Sequence, residues 1–331
     1  MRYLKLIIVL FGLSINIWAG TTIKFATVAT EGSTWMKVMN DLAQAVKDST
    51  KGDVKFKIYP GAVMGDEKDV LRKMRIGQVH SAGFTGVGLG EILPEVRIMD
   101  APFLFNNYQE VDYIAEKLAN HFKEKFEEQG YILLGWAEVG FVYVFTNTPI
   151  SDISDMDGVK MWMWEGDPIA EAAFTAMGIN PIPLSLTDVL TSLQTNLING
   201  VYISPLACTA LQWHTRVKYM LQLPLADSNG GVLITKKQFS KLSPEQQDIL
   251  KFFSRKHLRQ LTQLSRVDNE KSLELINKTG IKFTQITDRQ QLKSFTEAGK
   301  KARQSLVGRL YDQKFLDQVE KYVLEFRNNQ K

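Results

Sequence analysis

Ile23–Thr34 reads IKFATVATEGST, and Val159–Pro168 reads VKMWMWEGDP. In the first stretch, Ile23–Thr30 predicts a strand, and Trp35, Val38, Met39, Leu42, Ala45 and Val46 then recur at helical spacing up to Gly52. The second stretch repeats the order: Val159-Lys160-Met161 mirrors Ile23-Lys24-Phe25, and Glu165-Gly166-Asp167-Pro168 mirrors Glu31-Gly32-Ser33-Thr34. Ser33 and Asp167 are suited to cap helices, and Pro168 to the first helical position. Further on, Asp69-Val70-Leu71 precedes Gly77 and His80, while Asp188-Val189-Leu190 precedes Asn196 and Asn199 at the same offsets. The echo predicts two α/β lobes of similar plan, against the competing reading of chance similarity between short segments. Ligand crevices in open α/β sheets lie at the C-terminal ends of strands, so two facing lobes would form a cleft.

The intervening segments keep the pattern. Val54, Phe56 and Ile58 alternate with polar residues and end at Pro60-Gly61. Asp66–Ile76 reads as a basic amphipathic helix, His80–Phe84 as a strand, and Gln109–Gln129 as a helix. Tyr131–Trp136 and Phe141–Thr146 are strand candidates. Such alternation implies an α/β fold with a largely parallel sheet. From Pro244 to Thr279 no Pro or Gly interrupts the chain, and Ser243-Pro244-Glu245-Gln246 opens it as a capping box. The run reads as one helix bracing both lobes, or as two helices broken near Asp268-Asn269. Lobe I is expected from residues 21–145 plus about 229–265, and lobe II from 146–228 plus about 266–331 with the C-terminal helices.

Residues 1–20, MRYLKLIIVLFGLSINIWAG, form a basic start followed by a short apolar run and small residues, a cleavable secretory signal by length rather than a membrane anchor. Without Arg2 and Lys5, 38 basic residues face 36 acidic ones. So even a balance does not suggest a nucleic-acid partner. The lone Cys208 allows no internal disulfide or cysteine zinc cluster. His80, His121, His214 and His257 show no metal-ligand spacing, and the glycines of Gly83–Gly90 lack a dinucleotide or P-loop order. No cofactor, metal or catalytic group is expected, and the chain does not read as an enzyme.

The segments IKFATVATEGS, YPGAVMGDEKDVLRKMRIGQVHSAG, VRIMDAPFLFNNYQEV, LLGWAEVGFVYVFTN, ISDMDGVKMWMWEGDP, MGINPIPLSLTDVLTSLQTNLINGVYISPL and GGVLITKKQFSKLSPEQQDIL run from about residue 22 to 252. In this order they resemble the dicarboxylate-type solute receptors of TRAP transporters. The resemblance implies a two-lobe, type II-like periplasmic-binding-protein fold with a long spine helix. It also implies a periplasmic receptor whose lobes close over a small molecule and deliver it to a small and a large membrane subunit. In that family an arginine grips the ligand carboxylate at the position aligned with Trp162, and a second often stands near Tyr143; an Asn-Pro pair aligns with Ser204-Pro205. An indole offers one N–H and a negatively polarised face instead of a bidentate cation. The ligand is therefore expected to be aromatic, hydrophobic or cationic rather than a simple dicarboxylate.

Trp162 and Trp164 share one face of a strand, with Met161 and Met163 on the other. Trp162, Trp164, Tyr202, Tyr143, Trp35 and Ser204 are the candidate ligand contacts. Trp35 opens an amphipathic helix, where a tryptophan is core more often than ligand contact. Glu31 and Glu165 read either as solvated loop acids or as groups that meet a ligand hydroxyl or cation. Two other functions stay open: a ligand-sensing co-receptor for a signalling system, and an enzyme on a binding-protein fold.

Overall fold

The computed structural model describes residues 20–330, so the expected signal segment lies outside the described residues apart from Gly20. The chain runs β1 (Thr21–Ala26), α1 (Thr34–Ser49), β2 (Val54–Tyr59), α2 (Glu67–Arg75), β3 (Ser81–Thr85), α3 (Gly86–Gly90), α4 (Tyr108–Glu128) and β4 (Tyr131–Trp136). It continues through β5 (Gly140–Thr146), β6 (Trp162–Trp164), α5 (Pro168–Ala176), β7 (Ile182–Leu184), α6 (Val189–Gln194), β8 (Gly200–Ile203), α7 (Pro205–Ala210) and β9 (Tyr219–Ser228). The rest is β10 (Gly230–Thr235), α8 (Lys236–Phe239), α9 (Pro244–Lys278), β11 (Lys282–Thr284), α10 (Arg289–Ser305) and α11 (Gln313–Asn329).

Lobe I is built on a sheet of order β2-β1-β3-β10-β4 and lobe II on one of order β11-β9-β5-β8, with the β6-β7 pair beside it. The echo in the sequence is structural. β1 pairs in parallel with both β2 and β3. Likewise β6 pairs in parallel with β7, and Met161 beside it bridges in parallel to Gly200 of β8. Each lobe thus contains a strand–helix–strand–helix–strand unit with its first strand in the middle. The sheets are mixed rather than largely parallel. β10 runs antiparallel to β3 and β4, and β5 antiparallel to β8 and β9, because each arrives from the opposite lobe.

The two crossings lie side by side: Ala137 N–H donates to the Gly230 carbonyl at 2.8 Å, and Val139 N–H to the Ser228 carbonyl at 2.9 Å. This ribbon, called the hinge below, is where the chain passes between the two sheets. It moves the expected lobe boundary from residue 145 back to residues 137–139, since all of β5 hydrogen-bonds within the lobe II sheet. A second boundary also shifts. α10 packs against α5 in lobe II, with Phe295 and Ala298 in that core, but α11 returns to lobe I. Leu316, Val319 and Val323 of α11 join Ile114, Leu118 and Phe122 of α4, and Arg327 forks onto Glu110 at 2.7 and 2.8 Å. α11 thus packs back onto lobe I.

The long helix is unbroken: α9 spans 35 residues, about 52 Å at ~1.5 Å each. Its capping box is made by Ser243 and Gln246 as its sequence implies. It packs on α1 and β4 of lobe I, then on β5 and α7 of lobe II. Asn269, near the suspected break, does not interrupt it. Its Nδ2 donates to the Val139 carbonyl at 2.8 Å, and its Oδ1 accepts from Leu206 N–H at 3.0 Å. One buried amide thus fastens the helix to the hinge and to lobe II.

Candidate functional site

A cavity of about 220 Å³ lies between the lobes, above the hinge ribbon, with predominantly apolar walls. Lobe I contributes the β1–α1 loop, Trp35 and the β3–α3 turn; lobe II contributes β6, the start of α5, Tyr202 and α7; the hinge contributes Ala137, Val139, Asp227 and Ser228. It therefore sits where both first strands end and their helices begin.

Trp35 leans into the cavity from the first turn of α1, stacked on Phe25 with ring centroids 6.2 Å apart. Its indole lies against the backbone at Gly83, where any Cβ would collide with the ring. Gly86 is equally constrained, because the Asp100 carboxylate occupies the position a Cβ would take. The glycines of the β3–α3 turn are therefore there for close approach, not for phosphate binding.

On the opposite wall, Trp162 and Trp164 share a face as expected, 6.2 Å apart, while Met161 and Met163 face the lobe II core. Trp162 is only 2% exposed. Its ring stacks on Tyr202 at 5.0 Å and meets Trp213 edge-on at 5.1 Å, and its N–H donates to the Leu184 carbonyl at 3.1 Å. The indole therefore presents carbon to the cavity, and its N–H is already used. Trp164 N–H donates across the cleft to Asp66 Oδ2 at 2.9 Å. Tyr202 lines the cavity, and its hydroxyl donates to Asp167 Oδ2 at 3.1 Å. Ser204 also lines it; its hydroxyl accepts from Ala207 N–H as the cap of α7.

Three candidates fall outside. Glu31 and Glu165 are exposed and do not border the cavity, because each precedes a left-handed glycine, Gly32 or Gly166, that turns the loop outward. Tyr143 does not border it either. The β5–β9 register shifts between Val142 and Val144, so Val142 lines the cavity and Tyr143 packs on core side chains instead.

The charged groups that line it were not singled out as contacts from the sequence. Arg97, 4% exposed, reaches from the Pro94–Asp100 turn of lobe I to Asp167 Oδ1 in lobe II at 2.8 Å. Its Nε lies 2.8 Å from Asp100 Oδ2, although not aligned for a hydrogen bond. Asp167, recognised only as a helix cap, is therefore both cap and cross-lobe anion. Burial opposes the Arg97 charge, but Asp167 and Asp100 more than restore it. Burial also pushes Asp100 up to about 6 against the pull of Arg97. Glu67 at the start of α2 accepts from Thr85 N–H, Thr85 Oγ1 and Gly88 N–H at 2.7–2.9 Å; burial nevertheless pushes it up to about 7. Asp227 is wholly buried, and burial raises it well above the usual carboxylate range. Arg97 and Asp100 stand three apart in a short helical turn, a visible i,i+3 pair; nothing local in the sequence marks Asp227 or Glu67.

Residues 25–309 match the family described as bacterial extracellular solute-binding protein, family 7. The chain is 26% identical over 265 residues to the 2,3-diketo-L-gulonate-binding periplasmic protein YiaO of Escherichia coli, covering 79% of this chain and 78% of that protein. It is 28% identical over 166 residues to a solute-binding protein of Chromohalobacter salexigens, an alignment covering 50% of this chain and 49% of that relative. The fold is similar to a TRAP periplasmic solute binding protein from Pseudomonas putida F1 with bound D-glucuronate, at TM-score 0.83 and 23% identity, covering 91% of this chain and 96% of that one.

Proposed function

Because the chain belongs to the bacterial extracellular solute-binding proteins of family 7, we propose that it is the periplasmic receptor of a TRAP-type importer and that its ligand is not an acid. The solute enters between the lobes, the hinge ribbon flexes, and the walls meet over it. The closed receptor then docks on the small and large membrane subunits, which take up the solute unchanged. Trp164–Asp66 and Arg97–Asp167 cross the cleft and hold that closed form.

The observation that carries the ligand assignment is the state of Arg97. Among the described residues it is the one basic side chain lining the cavity, and Asp167 and Asp100 already engage it. A carboxylate ligand would enter a desolvated space with no uncommitted cation to receive it, which is costly. The indoles of Trp35, Trp162 and Trp164 instead favour an apolar or aromatic body, with cation–π attraction if that body is charged.

A ligand that binds only the folded cleft stabilises it, by about 2.7 kcal/mol at a concentration ~100 times its Kd. A thermal-shift series with succinate, glucuronate, aromatic amines and neutral aromatics, backed by mass spectrometry of solute retained through purification, tests the assignment. Stabilisation by amines or neutral aromatics is the expected result. A rise in Tm with the two acids alone would remove the non-acid reading and leave the receptor assignment intact.

A further inference from the structure

Asp227 closes β9 where the chain leaves lobe II, and it forms part of the cavity floor. Its Oδ2 accepts a hydrogen bond from Asn229 Nδ2 at 2.8 Å. Its Oδ1 has no hydrogen-bond partner. A buried carboxylate in this state has to be neutralised by a proton or by a cation.

The surrounding elements do not provide that cation. Asp100 from the Pro94–Asp100 turn, Glu138 from the β4–β5 crossing and Asp112 from α4 all add negative charge. Tyr108 of α4 also faces this group, and its phenol is itself pushed up by burial and by Glu138 and Asp227. Arg266 of α9 acts on Asp227 from the other side, but its guanidinium is forked onto Glu138 and Asp112 at 2.6–2.9 Å. Arg97 is shared by Asp100 and Asp167. The whole cavity lining repeats the imbalance: Glu67, Asp100, Asp167 and Asp227 face the single charge of Arg97.

Taking the cleft as the solute site proposed above, we propose that Asp227 is the anchor for a protonated amine on an apolar, ring-sized solute. The ammonium group donates to Oδ1 at the hinge, and the indoles enclose the rest of the molecule. The cavity of about 220 Å³ exceeds the ~150 Å³ that accommodates benzene, so a phenyl ring with a short amine tail fits. Anchoring at the hinge also explains how binding favours closure, since Asp227 lies on the ribbon that must bend. In the free protein Asp227 holds a proton; the ammonium displaces it to solvent, so charge is conserved at the site.

The test uses the mature chain and its Asp227→Asn variant with three probes of one shape: 2-phenylethylamine, 2-phenylethanol and phenylacetate. Calorimetry at pH 7 in two buffers of different ionisation enthalpy gives both affinity and protons released. The wild type should prefer the amine over the alcohol by about tenfold or more, the worth of a charge-assisted hydrogen bond, and release about one proton per amine bound. Asp227→Asn should bind amine and alcohol within about threefold and release none, with its Tm unchanged or raised. If it fails to fold, the proton count on the wild type decides. Equal binding of amine and alcohol, a preference that survives Asp227→Asn, or no binding of any probe overturns the amine anchor while leaving an apolar solute cleft standing. Preference for phenylacetate overturns the anchor and the non-acid reading together.

Discussion

The two walls of the cleft each bury a carboxylate and hold it by different means. In lobe I, Glu67 caps the Gly-rich turn through Thr85 and Gly88 and has no cation partner. In lobe II, Asp167 caps α5 and receives Arg97 from the other wall. One carboxylate stabilises its own lobe, and the other joins the two. The aromatic residues divide similarly. Trp35 stacks on one ring and stays partly exposed, whereas Trp162 is locked among Tyr202, Trp213 and the Leu184 carbonyl.

The largest effect should come from cutting the link between the walls. Arg97→Met leaves Asp167 and Asp100 buried without their cation and should cost about 3–5 kcal/mol in denaturant unfolding. A loss below about 1 kcal/mol would mean that the pair does not hold the lobes together.

Next is the carboxylate without a cation. Glu67 is raised from the ordinary 4.5 to about 7 in the folded state, so the folded protein holds its proton longer than the unfolded chain does. Its contribution is fully present below pH 4.5 and is lost as pH rises through about 7. The difference is about 3 kcal/mol at ~1.4 kcal/mol per pH unit. Glu67→Gln should flatten the fall in stability that the wild type shows across that window. Melting curves of the two proteins at half-unit pH steps measure it.

The smallest effect on stability separates the indoles. Trp35→Ala should cost about 1–2 kcal/mol, below the ~3–5 of a fully buried aromatic such as Trp162, because part of its surface is already in water. It should nonetheless weaken binding of any solute found by the thermal-shift series. Ligand affinity unchanged in Trp35→Ala would reduce that residue to helix packing.

Local periodicity carried the secondary structure. Val54, Phe56 and Ile58 on β2, the Ser243 capping box and the paired faces of Trp162 and Trp164 all depend on spacing of a few residues. The polar lining did not, because its partners are far apart in the chain: Arg97 meets Asp167 seventy positions on, and Asp100 receives Asn229 N–H from 129 positions away. Glu31 and Glu165 misled for a related reason. Their position after a strand is legible, but the direction of the side chain is set by the left-handed glycine that follows. The sheet that β5 joins was likewise hidden, since nothing within that strand records it.

Asn269 lies well along a helix that both lobes touch, and it grips the crossing strand and α7 at once. That makes α9 a lever with its pivot fixed to the ribbon. The 25 residue steps from Pro244 to Asn269 give that lever an arm of about 38 Å at ~1.5 Å each.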